Sequence, residues 1–262
     1  MNKKVFYSVL LISVAAVCGV ANFVMSDALS NSNPAHAASS ALYEPALQGN
    51  IPERLAGSYT ESKSLWVSAG KSLWAPERRS RVVISEYDAL IRQIAADKGY
   101  DWRFISAIAF AESRFDNEII SGSGAVGLMQ IMPVVARQFK VDPLHMSDPH
   151  TNVVLGVELL DYIGSTLRFP ESTPEKDRLS IILASYNCGM GHVLDARRLA
   201  VKYGGNPNSW SVVSRYLELK NEPEYYEDEV VRCGQFVDNR QTLGFVRKVM
   251  RYYDSYCELA VL

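Results

Sequence analysis

The sequence lacks an excess of charge of either sign. Its 262 residues carry 27 lysines and arginines against 29 aspartates and glutamates, which gives a formal net charge of −2. A protein that binds nucleic acid mainly through the phosphates needs a strongly positive charge. We therefore expect no nucleic-acid partner.

Cysteine and histidine are scarce, with four of each. The sequence contains no Cys-x-x-Cys motif and no His/Cys cluster, so a structural zinc site is not expected and no metal or organic cofactor is implied. Three cysteines, Cys188, Cys233 and Cys257, lie beyond the N-terminal region. In an oxidising compartment one pair could form a disulfide, but the sequence does not choose among the three pairings.

The N-terminus is typical of an exported protein. Two lysines precede an apolar run from Val5 to Val17, which continues less purely to Val24. This pattern predicts a secretory signal over residues 1–25 and a place in the periplasm or cell envelope. Two alternatives stay open: a retained membrane anchor, because the run approaches the length that crosses a bilayer, and lipid attachment at Cys18.

The rest of the chain divides by composition. Residues 26–80 are rich in Ser, Asn, Ala, Gly and Pro without a sustained period, which predicts a low-complexity spacer. Residues 81–262 are long enough to bury one core and form the predicted catalytic domain.

The pattern in this domain is helical. Apolar residues at helical spacing predict one helix that ends at Gly99 and a second that begins after Asp101 as N-cap. No segment has a convincing strand pattern, so the predicted fold class is a compact, mostly α domain. Two further helices are predicted to begin at Pro133 and at Pro149, and a third is predicted to run from Glu175 to the stop signal formed by Gly189 and Gly191. The last two predicted helices cover Ser209 to Leu219 and Gln241 to Tyr256.

Glu112 is the residue with the clearest chemical potential. It shares an apolar helical stripe with Ile105 and Ile108, and burial of a carboxylate raises its pKa toward the range of a general acid. The alternative is a helix-end glutamate whose carboxylate reaches water. The glycine-rich, uncharged segment 119–133 that follows favours the acid, because neutral polar groups suit sugar hydroxyls and N-acetyl amides.

Three stretches resemble one enzyme family. They read E-S-R-F at 112–115 with S-G-S-G-A-V-G-L-M-Q-I-M-P at 121–133, D-P-H-T-N-V-V-L-G at 148–156, and A-S-Y-N-C-G-M-G at 184–191. Together they resemble the lytic transglycosylases of the soluble type, within the goose-lysozyme-like superfamily. The resemblance covers roughly residues 81–256 and leaves the first eighty residues without a counterpart.

This resemblance implies a lysozyme-like helical domain with a substrate groove. Members of the family cleave the β-1,4 bond between N-acetylmuramic acid and N-acetylglucosamine in peptidoglycan. By position, Glu112 would be the single catalytic acid and base, and the product would carry a 1,6-anhydro sugar. The same transfer gives substrate-binding roles to Ser121, Gln130, Met132, Tyr186 and Asn187.

Some of these roles have structural alternatives. The Tyr186 ring shares a helical face with apolar residues and would then be largely core, with only its hydroxyl in the site. Asn187 would alternatively cap its helix. A hydrolase would need a second carboxylate across the scissile bond. Asp116 and Glu118 follow Glu112 too closely to stand opposite it, and Asp116 is expected to cap the chain where the helix ends.

The sequence departs from the family pattern near its C-terminus. Where the family has a segment like E-T-x-x-Y-V-x-x-V, this chain has Gln241 in place of the glutamate and Phe245 in place of the tyrosine. Both changes remove polar groups that would support the groove, so rate or specificity is expected to differ.

Three functions are therefore compared. The leading one is an exported peptidoglycan lytic transglycosylase whose partner is the glycan strand. A muramidase would use the same Glu112 with water. A non-catalytic wall-binding module would only clamp glycan strands, and the intact Glu112, Ser121 and Gln130 argue against it. The sequence predicts no particular protein partner.

Overall fold

The computed structural model describes residues 83–259, so the predicted signal at 1–25, with Cys18, and the spacer at 26–80 lie outside the described residues. The chain divides into two compact units. Among the described residues, the first unit comprises 83–165 and 247–259, and the second unit comprises 166–246. The assignment of 81–262 to one catalytic domain stays a prediction.

The described part of the chain is mostly helical, as predicted. Within residues 83–259, extended pairing is limited to two isolated bridges, Ile120 with Val126 and Val126 with Ile131. A 3-10 turn at Pro143–His145 precedes the longest helix of the first unit. The helices are α1 (Asp88–Asp97), α2 (Trp102–Glu112), α3 (Pro133–Gln138), α4 (Pro149–Leu167), α5 (Glu175–Cys188), α6 (Met190–Lys202), α7 (Trp210–Leu219), α8 (Pro223–Tyr226) and α9 (Asn239–Leu259).

In the first unit, α2 is a buried helix that packs against α1. It begins as predicted: the Asp101 carboxylate accepts the backbone N–H of Arg103 at 2.9 Å and the hydroxyl of Tyr253 at 3.1 Å. Its apolar residues other than Phe110 are buried, as expected of a helix within a core. α2 therefore carries its last residue, Glu112, into the interior of this unit.

The second unit contains a helix that the sequence analysis did not predict. Gly189 ends α5 with φ at 85°, as expected, but Gly191 does not act as a stop signal and lies in the first turn of α6. The apolar residues Val193, Ala196 and Leu199 are buried along α6, which packs against α5 and α7. Their spacing was a helical signal, hidden by the two glycines that precede it.

A buried ion pair holds α6 of the second unit. The Lys220 ammonium lies 2.7 Å from an oxygen of Asp195, and neither side chain is exposed. Asp195 also accepts the backbone N–H groups of Arg232 and Cys233, each at 2.8 Å. Burial and the Lys220 charge lower the pKa of His192 to about 3, so the ring is neutral and its Nδ1, 3.0 Å away, accepts from Lys220. These contacts hold the loop before α9 against α6.

The three cysteines within the described residues are free thiols. Cys188 is buried, and this burial raises its pKa to about 12, which leaves the thiol protonated and unreactive at neutral pH. No helix between residues 83 and 259 combines the length and the apolar character needed to span a bilayer.

Candidate active site

Glu112 is the last residue of α2, and its side chain is buried with 7% of its surface exposed. Burial raises its pKa from an ordinary value of 4.5 to about 8, against a smaller opposing effect of the Lys248 charge. No side chain of residues 83–259 donates a hydrogen bond to its carboxyl group, so desolvation decides its protonation. At neutral pH this carboxyl group is therefore mostly protonated, as a general acid must be.

The backbone turns sharply directly after Glu112. Arg114 and Phe115 have φ values of 57° and 64°, in the left-handed region that residues other than glycine rarely occupy. Ser113 anchors this turn, because its hydroxyl donates to the Ala109 carbonyl at 3.0 Å. Two consecutive left-handed residues are costly and are most often found at functional sites.

The segment 119–131 folds back on itself beside this turn. Val126 and Ile131 exchange two backbone hydrogen bonds of 3.0 Å, and Gly127 N–H donates to the Ile119 carbonyl at 3.0 Å. The result is a compact loop, which we call the glycine loop, covering residues 119–131. Although its exposed surface includes Ile120, its interior residues Leu128, Met129 and Ile131 are buried.

Asn152 on α4 holds the glycine loop through a set of three hydrogen bonds, two of them with the loop itself, which we call the Asn152 clamp. Its Oδ1 accepts the Met129 N–H, and its Nδ2 donates to the carbonyls of Val126 and Met146, all at 2.8 Å. Its side chain is fully buried. From the sequence, Asn152 is only part of a motif and has no predicted role. An asparagine among the apolar residues of a buried helical face was the available signal.

Two glycines permit this close packing. A Cβ at Gly127, whose φ is 77°, would lie 2.6 Å from the Asn152 Nδ2, so no larger residue fits without displacing the clamp. A Cβ at Gly156 on α4 would overlap the Met129 side chain. Both glycines belong to the motifs that carried the family resemblance.

Ser121 and Gln130 lie in the glycine loop and help to hold it. The Ser121 hydroxyl accepts the Ala125 N–H at 2.9 Å and lies 3.2 Å from the Ser123 hydroxyl. The Gln130 amide nitrogen donates to the carbonyls of Gly127 at 3.0 Å and Ile119 at 3.2 Å. The amide hydrogens of Gln130 are thus used within the loop, which leaves its side-chain oxygen for the substrate-binding role expected of it. Met132, half-buried, is the N-cap of α3.

Tyr186 and Asn187 belong to the second unit, in the last turns of α5. Tyr186 is 9% exposed, as expected for a ring that lies mostly in a core. Asn187 is buried, and its Oδ1 accepts the Thr242 hydroxyl of α9 at 2.8 Å. Asn187 does not cap α5, because the C-cap is Gly189. Instead it ties the end of α5 to α9.

The two departures from the family pattern also lie in the second unit. The Gln241 amide nitrogen and oxygen are buried and find no hydrogen-bond partner among the described residues. Phe245 is 7% exposed and packs as an ordinary apolar residue. The tyrosine-to-phenylalanine change therefore leaves no polar group unpaired, whereas the glutamine does.

The candidate second carboxylates do not form a pair with Glu112. Asp116 and Glu118 are exposed, and the Asp116 Oδ1 accepts the Glu118 backbone N–H at 3.0 Å. Asp116 thus stabilises the turn that leaves α2, which agrees with its expected capping role. Among residues 83–259, Lys248 of α9 is the one charged side chain that acts on the pKa of Glu112.

Part of the chain is similar to known proteins. Residues 89–208 match the transglycosylase SLT domain family. The chain is 37% identical over 169 residues to the membrane-bound lytic murein transglycosylase F of Alcanivorax borkumensis, covering 64% of this chain and 34% of that protein. The protein of the same name from Alteromonas mediterranea is 35% identical over 173 residues, covering 66% and 35%.

A solved structure of an inactive mutant of the lytic transglycosylase Slt from Pseudomonas aeruginosa has a TM-score of 0.41 and 22% identity, covering 66% of this chain and 25% of that one. The chain spans about a third of the length of the curated relatives it matches. The matched residues 89–208 include Glu112, the glycine loop, Asn152 and the end of α5. Within residues 89–208, the chain is therefore similar to the transglycosylase SLT domain.

Proposed function

We propose that this protein is a peptidoglycan lytic transglycosylase in which Glu112 is the single general acid and base. The observation that carries the proposal is the desolvated Glu112 carboxyl group, whose pKa lies at about 8. Such a group is protonated in the resting enzyme, and no hydrogen bond from residues 83–259 competes with a substrate for it.

The reaction uses that proton twice. Glu112 first gives its proton to the glycosidic oxygen while the bond between the muramoyl C1 and that oxygen breaks. The resulting carboxylate then takes the proton of the muramoyl C6 hydroxyl, as the C6 oxygen bonds to C1. The product carries a 1,6-anhydro end, Glu112 regains its proton, and no water is consumed.

A single carboxylate favours this reaction over hydrolysis. A glycosidase that uses water or a covalent intermediate requires a second acid on the opposite side of the bond. The nearest carboxylates in the chain, Asp116 and Glu118, are exposed, and Asp116 is used in a turn. This makes the muramidase the second candidate.

The glycine loop is proposed to bind the sugars. The loop carries the half-buried Ser121 hydroxyl and the buried side-chain oxygen of Gln130, and half-buried Met132 follows the loop as an apolar wall. These neutral groups suit hydroxyls and N-acetyl amides. For Tyr186 and Asn187 of α5 we propose the substrate-binding roles that the resemblance implies, through the Tyr186 hydroxyl and the Asn187 side-chain amide.

The protein is proposed to act in the cell envelope. The relatives from Alcanivorax borkumensis and Alteromonas mediterranea are named membrane-bound murein transglycosylases. Residues 1–25 supply either a signal for export or an anchor, and residues 26–80 would act as the spacer between that segment and the catalytic domain. Glycan strands of peptidoglycan are the proposed partner.

Mass spectrometry of the soluble products tests the function. The full chain is incubated with purified peptidoglycan beside Glu112→Gln and Glu118→Gln, which replace a carboxyl group with an amide at a buried and at an exposed position. We expect 1,6-anhydro muropeptides, one water lighter than reducing products, from the wild type and Glu118→Gln but not from Glu112→Gln. Reducing-end products would show a muramidase instead. Binding to the wall without any products would show a binding module.

A further inference from the structure

Lys248 reaches the end of α2 from a distant part of the sequence. It lies on α9, and its Nζ donates to the carbonyl oxygen of Ala111 at 2.7 Å. Ala111 directly precedes Glu112, in the last turn of α2, where backbone carbonyls have no partner within the helix. A cation at this end of a helix is also favoured by the helix dipole. Lys248 therefore ties α9 to the residue next to the proposed acid.

The charges around this contact are few. Among the described residues, Lys248 is the charged group that acts on Glu112, and Glu112, Arg114 and Arg251 are the charged groups that act on Lys248. Both arginines are cations and exposed, so neither neutralises the ammonium. Lys248 itself is half-buried. Glu112 is thus its one partner of opposite charge in this cluster.

We propose that Lys248 is a positioning residue that fixes the end of α2 and stabilises the Glu112 carboxylate formed after proton donation. The catalytic part of this inference rests on the proposed function. In the first step Glu112 loses its proton inside a desolvated site, where an unpaired carboxylate is costly. The nearby ammonium lowers that cost, and Glu112 then recovers its proton from the C6 hydroxyl.

This arrangement explains how Glu112 can act in both steps. An opposite charge at close range favours the ionised form of a carboxyl group, while burial favours the neutral form. Without Lys248, Glu112 would hold its proton more tightly and would be a weaker acid toward the glycosidic oxygen. With Lys248, both protonation states are accessible near neutral pH.

The test compares three replacements at 248 with a control on the same helix. Lys248→Met removes the charge and the donor, Lys248→Gln removes the charge and keeps a shorter donor, and Lys248→Arg keeps both. The control, Arg251→Met, removes the same charge one turn further along α9 from an exposed position. Carboxyl ¹³C NMR of the full chain follows the titration of Glu112, assigned by the loss of its signal in Glu112→Gln.

We expect Lys248→Met and Lys248→Gln to raise the pKa of Glu112 by about one pH unit, and Lys248→Arg and Arg251→Met to leave it near the wild-type value. With peptidoglycan, the two neutral variants should lose about tenfold in kcat, with little change in KM. The alkaline limb of the pH–activity profile of these two variants should move to higher pH. A structural tether alone would lower the melting temperature without moving this limb.

The proposal is overturned if Glu112 titrates alike in wild type, Lys248→Met and Lys248→Gln. It is also overturned if Arg251→Met moves the Glu112 titration as far as the neutral variants at 248 do. If one neutral variant does not fold, the other decides. The NMR titration needs no catalysis, so a wild type that releases no anhydro products would reject the proposed function while the role of Lys248 is still decided.

Discussion

Replacement of Glu112 with glutamine is expected to stabilise the protein at alkaline pH while abolishing its proposed activity. The folded state holds the Glu112 pKa at about 8, whereas the ordinary value is 4.5. Between these values the folded protein binds a proton that the unfolded chain releases. The stability that this proton provides is complete below pH 4.5 and is lost as the pH rises through about 8.

The size of the effect follows from the two pKa values. Each pH unit of difference is worth about 1.4 kcal/mol, so the full separation corresponds to roughly 5 kcal/mol of unfolding free energy. Water that enters around an ionised Glu112 would reduce this penalty, and we therefore expect about 2 to 3 kcal/mol. Glutamine cannot ionise, so Glu112→Gln should not lose this stability as the pH rises.

Urea denaturation at about pH 4 and about pH 9 measures the effect. The relevant quantity is the change with pH in the stability difference between Glu112→Gln and the wild type. Any constant cost of a buried amide cancels from this comparison. Glu118→Gln serves as the control, because it removes a neighbouring carboxylate that is exposed to solvent.

One result would refute the reasoning. If Glu112→Gln and the wild type differ in stability by the same amount at both pH values, the folded state does not hold Glu112 in a desolvated, protonated form. The general-acid role would then lack its physical basis. An equal pH dependence in Glu118→Gln would point to net charge as the cause.

Three further predictions concern the support of the site. Asn152→Ala leaves the Met129 N–H and the Met146 carbonyl without their partner and should cost about 3 kcal/mol in urea denaturation; a loss below about 1 kcal/mol would contradict the clamp. Gly127→Ala should lower activity far more than Gly124→Ala. Both glycines have positive φ, but of these two only the Cβ added at Gly127 would contact a neighbouring side chain, that of Asn152. Equal losses of activity would count against this packing. Asp195→Asn should cost about 3 to 5 kcal/mol by leaving the buried Lys220 charge unpaired, and Asp195→Leu with Lys220→Met should cost less, both measured by thermal denaturation.

The sequence predicted the elements whose signals are local. Asp101 as an N-cap and Pro133 and Pro149 as first helical residues are confirmed, because these signals act within a single turn of helix. The burial of Glu112 also followed from the apolar stripe of its own helix. α6 was missed, since the two glycines at its start resemble a stop signal, although one of them lies within the helix.

The supports of the site could not be predicted in the same way. Lys248 and Ala111 are 137 residues apart, and Asn152 lies 23 residues from Met129. Neither Lys248 nor Asn152 lies in a local sequence pattern that identifies its partner, because each contact forms only after the helices have packed. The same holds for Lys220 and Asp195, whose charges give no sign in the sequence that both will be buried.

Two local costs of this structure adjoin at Glu112. A carboxyl group without a hydrogen bond from any of residues 83–259 is buried there, and the next turn holds Arg114 and Phe115 in left-handed conformations. Neither feature helps the chain to fold, since a neutral residue at 112 and glycine at 114 would avoid both costs. The buried surface of α2 and the Asn152 clamp offset them. Such local costs among well-packed neighbours favour the proposed chemistry at Glu112 over the wall-binding module, since that module would gain nothing from a desolvated acid.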